Sequence, residues 1–288
     1  MTLAYGGAFF FQDGNVQAEL PVGSIGLPAV EIQKGRKPQM ISAIIFDMDG
    51  TLYNETDVKM TAELETAVYL AGCCDSSPEA VYDIFRKVKS RVTSACRGLP
   101  EANDRAKWYD AVLEELGVAR VTGAELAECY WQAVYDNMKP FADFLYVLPG
   151  LQEKYGLYLL TDELRAIQER KLQCLGLEHV FLKTVSAQEI GSTKPSEKCY
   201  RYITEIIGEP VENILVVGDN PGADIRGGNL AGMHTAWLKR GKYHYYQQEP
   251  EEKPEIVFTN YLQLPGKIEA LEQKSHFQAE RRGERVSI

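Results

Sequence analysis

Apolar positions along this chain follow two periods, one typical of buried strands and one typical of helices. Helix-like spacing predicts helices at 163–175, 196–207 and 265–273. Short apolar runs between and before them predict strands at 40–46, 155–160, 180–186, 213–217, 234–238 and 256–259. This alternation predicts an α/β fold, in which a doubly wound parallel sheet is covered by helices on both faces.

The region between the first two predicted strands differs, because its pattern is helical throughout. Helix-like spacing covers 60–71, 79–92, 104–116 and 123–137, and glycines or prolines break the pattern between these segments. Residues 53–144 are therefore predicted to form an all-helical insertion. Residues 40–52 and 145–274 would form the α/β core.

The first predicted strand ends in two carboxylates and a glycine turn. Asp47 and Asp49 precede Gly50, and alternate residues of an extended chain point the same way, so both carboxylates can serve one small volume. Their repulsion requires a shared proton or a hard cation such as Mg²⁺. Asp-Gly alone would mark only a turn, but the full string predicts positive partners elsewhere in the chain.

The second predicted strand ends at a hydroxyl. A hydroxyl beside free backbone amides, where a strand turns into a helix, suits a phosphate group, and Thr161 occupies such a position. Asp162 and Glu163 follow it. Negative charge beside a phosphate site is unfavourable, so Asp162 either points away or changes which ligands are accepted. A threonine in this position is by itself more often a helix cap.

Two further carboxylates follow the predicted strand at 213–217. Gly218 allows a tight exit from the strand, Asp219 stands at its end, and Asp224 lies one loop later at a helix start. Hard oxygen ligands at a strand end suit octahedral Mg²⁺, which binds through few carboxylates and substrate phosphate. A turn with a helix cap would explain Asp224 but not Asp219 with its glycine.

These stretches resemble the motifs of the haloacid dehalogenase (HAD) superfamily. The string Asp-x-Asp-Gly-Thr-Leu at 47–52 is similar to the first motif, and Thr161, the Lys194-Pro195 pair and Asp219 are similar to the later three, in family order. The resemblance covers about 41–262. It implies a Rossmann-like HAD core with an inserted helical C1 cap. The chain departs from the family pattern at Asp162, where many relatives carry asparagine.

The resemblance implies a Mg²⁺-dependent phosphatase that acts on a small phosphate monoester, of the sugar phosphate, phosphoglycolate or nucleotide class. Asp47 would attack phosphorus and form an aspartyl-phosphate, while Asp49 would act as acid and then as base. The ligands of Mg²⁺ would be Asp47, Asp219 and the backbone carbonyl of Asp49. Asp224 would support the metal site or orient Lys194.

Other residues are predicted to contact the phosphate or the rest of the substrate. By resemblance, Thr161 and Lys194 would hold the transferring phosphoryl group and offset its charge. Cap cations near the break at residues 98–100 could grip distal anionic groups of a substrate. These cations are Arg91, Arg97, Arg105 and Lys107, and the substrate-binding candidates are Gly50, Thr51, Asp162 and Arg97.

Alternative functions stay open at this point. A dehalogenase of the same fold lacks the second aspartate of the first motif, so Asp49 argues against it. A phosphomutase would share every catalytic residue, and analysis of the products would separate the two. A non-catalytic regulatory or binding protein would use the N-terminal residues as its interaction surface, although Asp47, Lys194 and Asp219 are intact. A positively charged cleft between cap and core would support the phosphatase.

Composition and charge limit the classes of molecule that this protein is expected to bind. The net charge of −10 over 288 residues excludes a general binder of nucleic-acid polymers or anionic membranes. The six cysteines form no Cys-x-x-Cys pair and no disulfide-like framework, which is typical of reduced thiols in a cytoplasmic protein. The expected partner is a small phosphorylated metabolite, and the expected assembly is a monomer or homodimer.

Both ends of the chain lie outside the resemblance. Residues 1–39 are predicted to be an extension with a small hairpin around Asp13-Gly14, since apolar runs flank that turn. The apolar run at 3–11 is too short for a membrane span and lacks a preceding basic region. Residues 275–288 are predicted to be a flexible polar tail.

Overall fold

The computed structural model describes residues 40–282, without the side chains of residues 100, 276 and 278–282. The predicted extension at 1–39, with its hairpin, lies outside the described residues. The last part of the predicted tail, 283–288, lies outside them as well.

A six-stranded sheet forms the centre of the described chain. The strand order is β3-β2-β1-β4-β5-β6, and every neighbouring pair is parallel. This confirms the predicted parallel sheet. The strands are β1 (Ala43–Phe46), β2 (Gly156–Thr161), β3 (Lys183–Ser186), β4 (Ile214–Gly218), β5 (His234–Leu238) and β6 (Ile256–Phe258).

The first strand shows why both faces of the sheet carry helices. All four residues of β1 are buried, and their side chains alternate between two apolar clusters. Ile44 and Phe46 pack into the larger cluster, while Ala43 and Ile45 pack into the smaller one. Successive side chains of a strand point to opposite faces, so each face needs its own covering layer.

Five α-helices lie between β1 and β2 along the chain, and we call the first four of them the cap. Their ends follow local capping signals: the Thr122 hydroxyl accepts a hydrogen bond from the Glu125 N–H at 3.2 Å, and Gly117 ends a helix in the left-handed region. The cap helices are α1 (Glu55–Ala71), α2 (Pro78–Ala95), α3 (Arg105–Leu116) and α4 (Gly123–Asn137).

A fifth helix, α5 (Ala142–Lys154), was not predicted from the sequence. It passes through Pro149 and Gly150, where helical propensity is low and proline removes one backbone hydrogen bond. Phe144 and Leu151 are nevertheless buried on its inner face. Burial of this apolar stripe outweighs the weak local propensity.

The remaining helices lie between or after the strands of the core. The last one continues to Arg282, into the segment 275–288 that was predicted to be a tail. Leu264 and Ile268 are fully buried and anchor its first turns, and good helix-forming residues follow them. These helices are α6 (Arg165–Leu175), α7 (Ala187–Ile190), α8 (Glu197–Ile207), α9 (Arg226–Leu230) and α10 (Leu264–Arg282).

The direction in which the chain adds strands to the sheet reverses beside β1. From β1 the chain moves through β2 and β3 to one edge, and it then returns to β4 on the other side of β1. Open α/β sheets bind ligands outside the carboxyl ends of their strands at such a switch point. Within the described residues, no helix is both long and apolar enough to cross a membrane.

Candidate active site

Asp47 and Asp219 follow the neighbouring strands β1 and β4. Phe46 pairs with Val217 across these strands, and the Asp47 N–H donates to the Val217 carbonyl at 2.9 Å. The two carboxylates therefore start from adjacent strand ends at the switch point. Both side chains are buried there.

Glycine leaves the space that these carboxylates occupy. Gly50 has a φ of +87°, which favours glycine, and a Cβ at this position would overlap the Asp219 carboxylate. A Cβ on Gly218 would similarly overlap the Asp224 side chain. The glycine of the first motif is thus required by a carboxylate of the fourth.

Lys194 joins the carboxylates of two loops. Its Nζ donates to Asp47 Oδ1 at 2.6 Å and to Asp224 Oδ1 at 2.7 Å. Asp224 Oδ2 accepts from the Asn220 N–H at 3.1 Å, so both oxygens of Asp224 are engaged and the residue orients Lys194. Burial lowers the pKa of Lys194, but Asp224 and Asp47 outweigh it and leave that pKa well above its usual value.

Thr51 holds Asp47 and Asp219 in place through hydrogen bonds. Its hydroxyl donates to Asp47 Oδ2 at 3.0 Å and accepts from the Asp219 N–H at 3.0 Å. Its carbonyl accepts from the Tyr261 hydroxyl at 2.8 Å. Thr51 is fully buried and does not line the cleft, and Gly50 does not line it either. The phosphate contact of these two residues stays a prediction, and in the structure the Thr51 hydroxyl supports Asp47 and Asp219.

The three carboxylates beside Lys194 carry more negative charge than this one lysine neutralises. Asp47, Asp219 and Asp224 each offer an oxygen within 4.8 Å of the others, and Lys194 is their shared ammonium. Among the described residues, no lysine, arginine or histidine forms an ion pair with the Asp219 carboxylate. Burial raises the pKa of Asp219 well above its usual value, and Asp47 and Asp224 raise it further. A hard cation such as Mg²⁺ fits this set of oxygen ligands.

Burial also changes the protonation of Asp47. It raises the pKa of this carboxyl to about 7, although the Lys194 ammonium lowers it. A cation beside Asp47 would favour the carboxylate, which is the nucleophilic form.

Asp49 faces a different set of partners. Lys171 Nζ donates to Asp49 Oδ1 at 2.7 Å and to Oδ2 at 2.8 Å, and the Tyr53 hydroxyl donates to Oδ1. Lys59 lies 3.8 Å from Oδ2. Burial would raise the pKa of Asp49, but Lys171 and Lys59 outweigh it, and the pKa is lowered. The side chain of Asp49 is not part of the three-carboxylate cluster.

Thr161 is buried at the end of β2 and lines the cleft. Its hydroxyl accepts from the Glu163 N–H at 3.2 Å. Asp162 Oδ1 accepts from the backbone N–H of Lys194 at 2.9 Å, so Asp162 fixes the segment that carries this lysine. The Asp162 carbonyl accepts from Asn103 Nδ2 of the loop before α3, also at 2.9 Å.

Glu163, which follows Asp162 in this turn, forms a buried ion pair with the cap. Arg105 Nη2 lies 3.1 Å from Glu163 Oε2, and both side chains are 2% exposed. Lys171 Nζ lies 3.7 Å from the same oxygen. The added negative charge beside Thr161 is thus neutralised by a cap arginine and a core lysine.

A cleft of about 230 Å³ opens above these residues. It does not have the excess of positive charge expected of a phosphate site, because carboxylates outnumber lysines in its lining. This charge balance again favours a bound cation. The charged lining residues are Asp47, Asp49, Glu55, Lys59, Asp162, Glu163, Lys194, Asp219, Asp224 and Lys242.

The structure brings most of the predicted site residues together, but not the cap arginine. Arg97 is exposed and does not line the cleft, whereas Glu55 and Lys59 of α1 and Asn103, which precedes α3, do line it. Lys171 was missed, because a lysine within a helical pattern has no local signal of function. The only sequence signal for Lys59 was its position four residues after Glu55, with which it forms an ion pair.

Comparison with known proteins agrees with this geometry. A family model of haloacid dehalogenase-like hydrolases matches residues 41–232. A glyceraldehyde 3-phosphate phosphatase of Methanopyrus kandleri is 31% identical over 225 residues, which cover 75% of this chain and 91% of that protein. A ribulose-1,5-bisphosphate 5-phosphatase of Halopiger xanaduensis is 27% identical over 202 residues, with coverages of 68% and 84%.

A solved structure shares the fold. The HAD hydrolase YfnB of Bacillus subtilis, in a crystal structure bound to magnesium, aligns with a TM-score of 0.65 at 20% identity. The alignment covers 80% of this chain and 100% of that one. Fold and site together define a capped α/β hydrolase. The chain belongs to the haloacid dehalogenase-like hydrolase family, and it is an enzyme of the phosphatase type, a phosphoric monoester hydrolase.

Proposed function

We propose that the protein is a Mg²⁺-dependent phosphatase that hydrolyses a small phosphorylated metabolite through an aspartyl-phosphate on Asp47. The substrate belongs to the sugar phosphate, phosphoglycolate or nucleotide class. Two similar proteins named for glyceraldehyde 3-phosphate and ribulose-1,5-bisphosphate support a small phosphate ester.

One observation carries the proposal. Lys194 bridges Asp47 and Asp224 at 2.6 and 2.7 Å, and the buried Asp219 carboxylate lies beside them without an ion-pair partner of its own. A turn or a helix cap requires no such convergence of side chains from three separate loops. Phosphoryl transfer does require it, because catalysis rests on positioning and on neutralising charge.

In the first step, an Asp47 oxygen attacks phosphorus, and the bond between phosphorus and the ester oxygen breaks. Asp49 gives a proton to the departing oxygen and becomes a carboxylate. Lys171 and Lys59, which lower the pKa of Asp49, favour this carboxylate form. Thr161 and Lys194 contact the transferring phosphoryl group from the cleft wall. Asp47 and Asp219 would hold Mg²⁺, which would neutralise charge on that group.

In the second step, water attacks the phosphorus of the aspartyl-phosphate. Asp49 Oδ2 or Oδ1 takes one proton from this water, and the bond between phosphorus and Asp47 breaks. Inorganic phosphate leaves, Asp47 is a carboxylate again and Asp49 is an acid again. The protons balance over the two steps.

The test is a panel of phosphate monoesters, scored by released phosphate with and without Mg²⁺. We expect Asp47→Asn to abolish turnover, since an amide cannot form the acyl phosphate. Asp83→Asn is the matched control, because Asp83 is exposed on α2 and should leave turnover unchanged. Undiminished hydrolysis by Asp47→Asn would refute the assignment, and isomerised ester with little free phosphate would indicate a mutase.

A further inference from the structure

Lys171 is a buried lysine that the mechanism above does not use. It lies on α6, its side chain is 0% exposed, and it donates to both oxygens of Asp49. A buried ammonium is unfavourable unless it is paired and hydrogen-bonded. Its place beside the acid and base of the reaction therefore requires an explanation.

The two carboxylate oxygens of Asp49 differ in the number of hydrogen bonds that they accept. Oδ1 accepts from both Lys171 and the Tyr53 hydroxyl. Oδ2 accepts from Lys171, while Lys59 at 3.8 Å is too distant for a hydrogen bond. Each carboxylate oxygen has two lone pairs, so Oδ1 is saturated and Oδ2 retains one acceptor position.

Lys171 is itself held in place. Glu163 Oε2 lies 3.7 Å from its Nζ, and the Trp131 ring of the cap lies 5.1 Å away. Glu163 is fixed in turn by Arg105 at 3.1 Å. Charges of alternating sign thus run from the cap to Asp49.

We propose that Lys171 is a positioning residue that fixes Asp49 so that its Oδ2 accepts the proton of the attacking water in the second step. This inference rests on the proposed function. The proton passes from water to Oδ2 while the water oxygen bonds to phosphorus and the bond from phosphorus to Asp47 breaks.

Loss of Lys171 has a specific kinetic consequence. Without its two hydrogen bonds, the Asp49 carboxylate keeps only the hydrogen bond from Tyr53 and can rotate, and breakdown of the aspartyl-phosphate slows. The first step with p-nitrophenyl phosphate is little affected, because the nitrophenolate leaves without protonation. The phosphorylated enzyme therefore accumulates.

The experiment is rapid mixing of Lys171→Met with p-nitrophenyl phosphate and Mg²⁺. We expect a burst of nitrophenol larger than in the wild type, and kcat lowered on the order of 10–100-fold, part of the usual contribution of a general base. kcat/KM should change by less than about threefold, because it reports steps up to release of the first product. If Lys171→Met does not fold, Lys171→Gln takes its place with the same expectation.

Arg170→Met is the matched control, since Arg170 is exposed on the same helix, and it should show wild-type kinetics. Equal losses in kcat and kcat/KM without a burst would overturn the role of Lys171, and so would unchanged kinetics. The proposed function would still stand if Asp47→Asn were inactive. An inactive wild type over the whole ester panel would instead overturn the proposed function.

Discussion

Removing Arg105 tests whether the buried ion pair between cap and core stabilises the fold. Arg105 and Glu163 are both 2% exposed at 3.1 Å, so neither charge is solvated when the other is lost. Breaking a buried pair from one side typically costs about 3–5 kcal/mol. We expect Arg105→Met to lower the free energy of unfolding by an amount near the lower end of this range.

The geometry predicts an asymmetry between the partners. After Arg105→Met, Glu163 still has Lys171 at 3.7 Å, and the methionine can retain apolar contact with Trp108 and Trp131, whose rings lie 4.5 Å from the guanidinium carbon. After Glu163→Gln, Arg105 has no ion-pair partner among the described residues, while Lys171 keeps the Asp49 carboxylate. Glu163→Gln should therefore cost more, about 5 kcal/mol. The double variant should lose less than the sum of the two.

Urea unfolding followed by tryptophan fluorescence and circular dichroism measures these differences. A loss of about 3 kcal/mol corresponds to a fall in Tm of about 6–12 °C for a domain of roughly this size. Arg165→Met is the control: Arg165 pairs with Glu169 at 2.9 Å, but both side chains are more than half exposed, so the loss should stay below about 0.5 kcal/mol. Losses below about 1 kcal/mol for both Arg105→Met and Glu163→Gln would refute the reasoning.

Two further predictions concern the carboxylate cluster. Gly50→Ala should abolish phosphatase activity because the new Cβ would overlap Asp219. Gly98→Ala is the control: Gly98 has a similar φ of +84° but open space around it, so the variant should retain activity and cost only about 1–2 kcal/mol of backbone strain. An active Gly50→Ala enzyme would contradict this reasoning. Mg²⁺ should raise the Tm of the wild type, since about 2.7 kcal/mol is gained at a hundredfold excess over Kd. Asp219→Asn should remove most of that rise, and an equal rise in both proteins would exclude Asp219 as a ligand.

Elements with strong local signals were predictable from the sequence. The predicted strand at 234–238 and the predicted helix at 123–137 coincide with β5 and α4. By contrast, α5 was missed because Pro149 and Gly150 lower its local propensity, and only packing of its inner face stabilises it. Local pattern therefore predicts an element well when propensity and burial agree.

Some features of the candidate site were likewise predictable from the sequence, and others were not. Asp47 and Asp219 directly follow apolar strands and Thr161 ends one, and parallel strands bring their carboxyl ends to one edge of the sheet. The sequence was sufficient for their convergence, since it follows from topology. It was not sufficient for the supporting role of Thr51 or for the exposed position of Arg97.

The amino-acid sequence by itself determined the class of fold, the family motifs and the aspartates of the cleft. Only the tertiary structure decided how the remaining charges pair. Lys171 and Asp49 are 122 positions apart, and Arg105 and Glu163 are 58 apart, on elements with no shared pattern. Such pairs depend on how the cap packs on the core. That packing is set by the sum of many apolar contacts, which no local motif encodes.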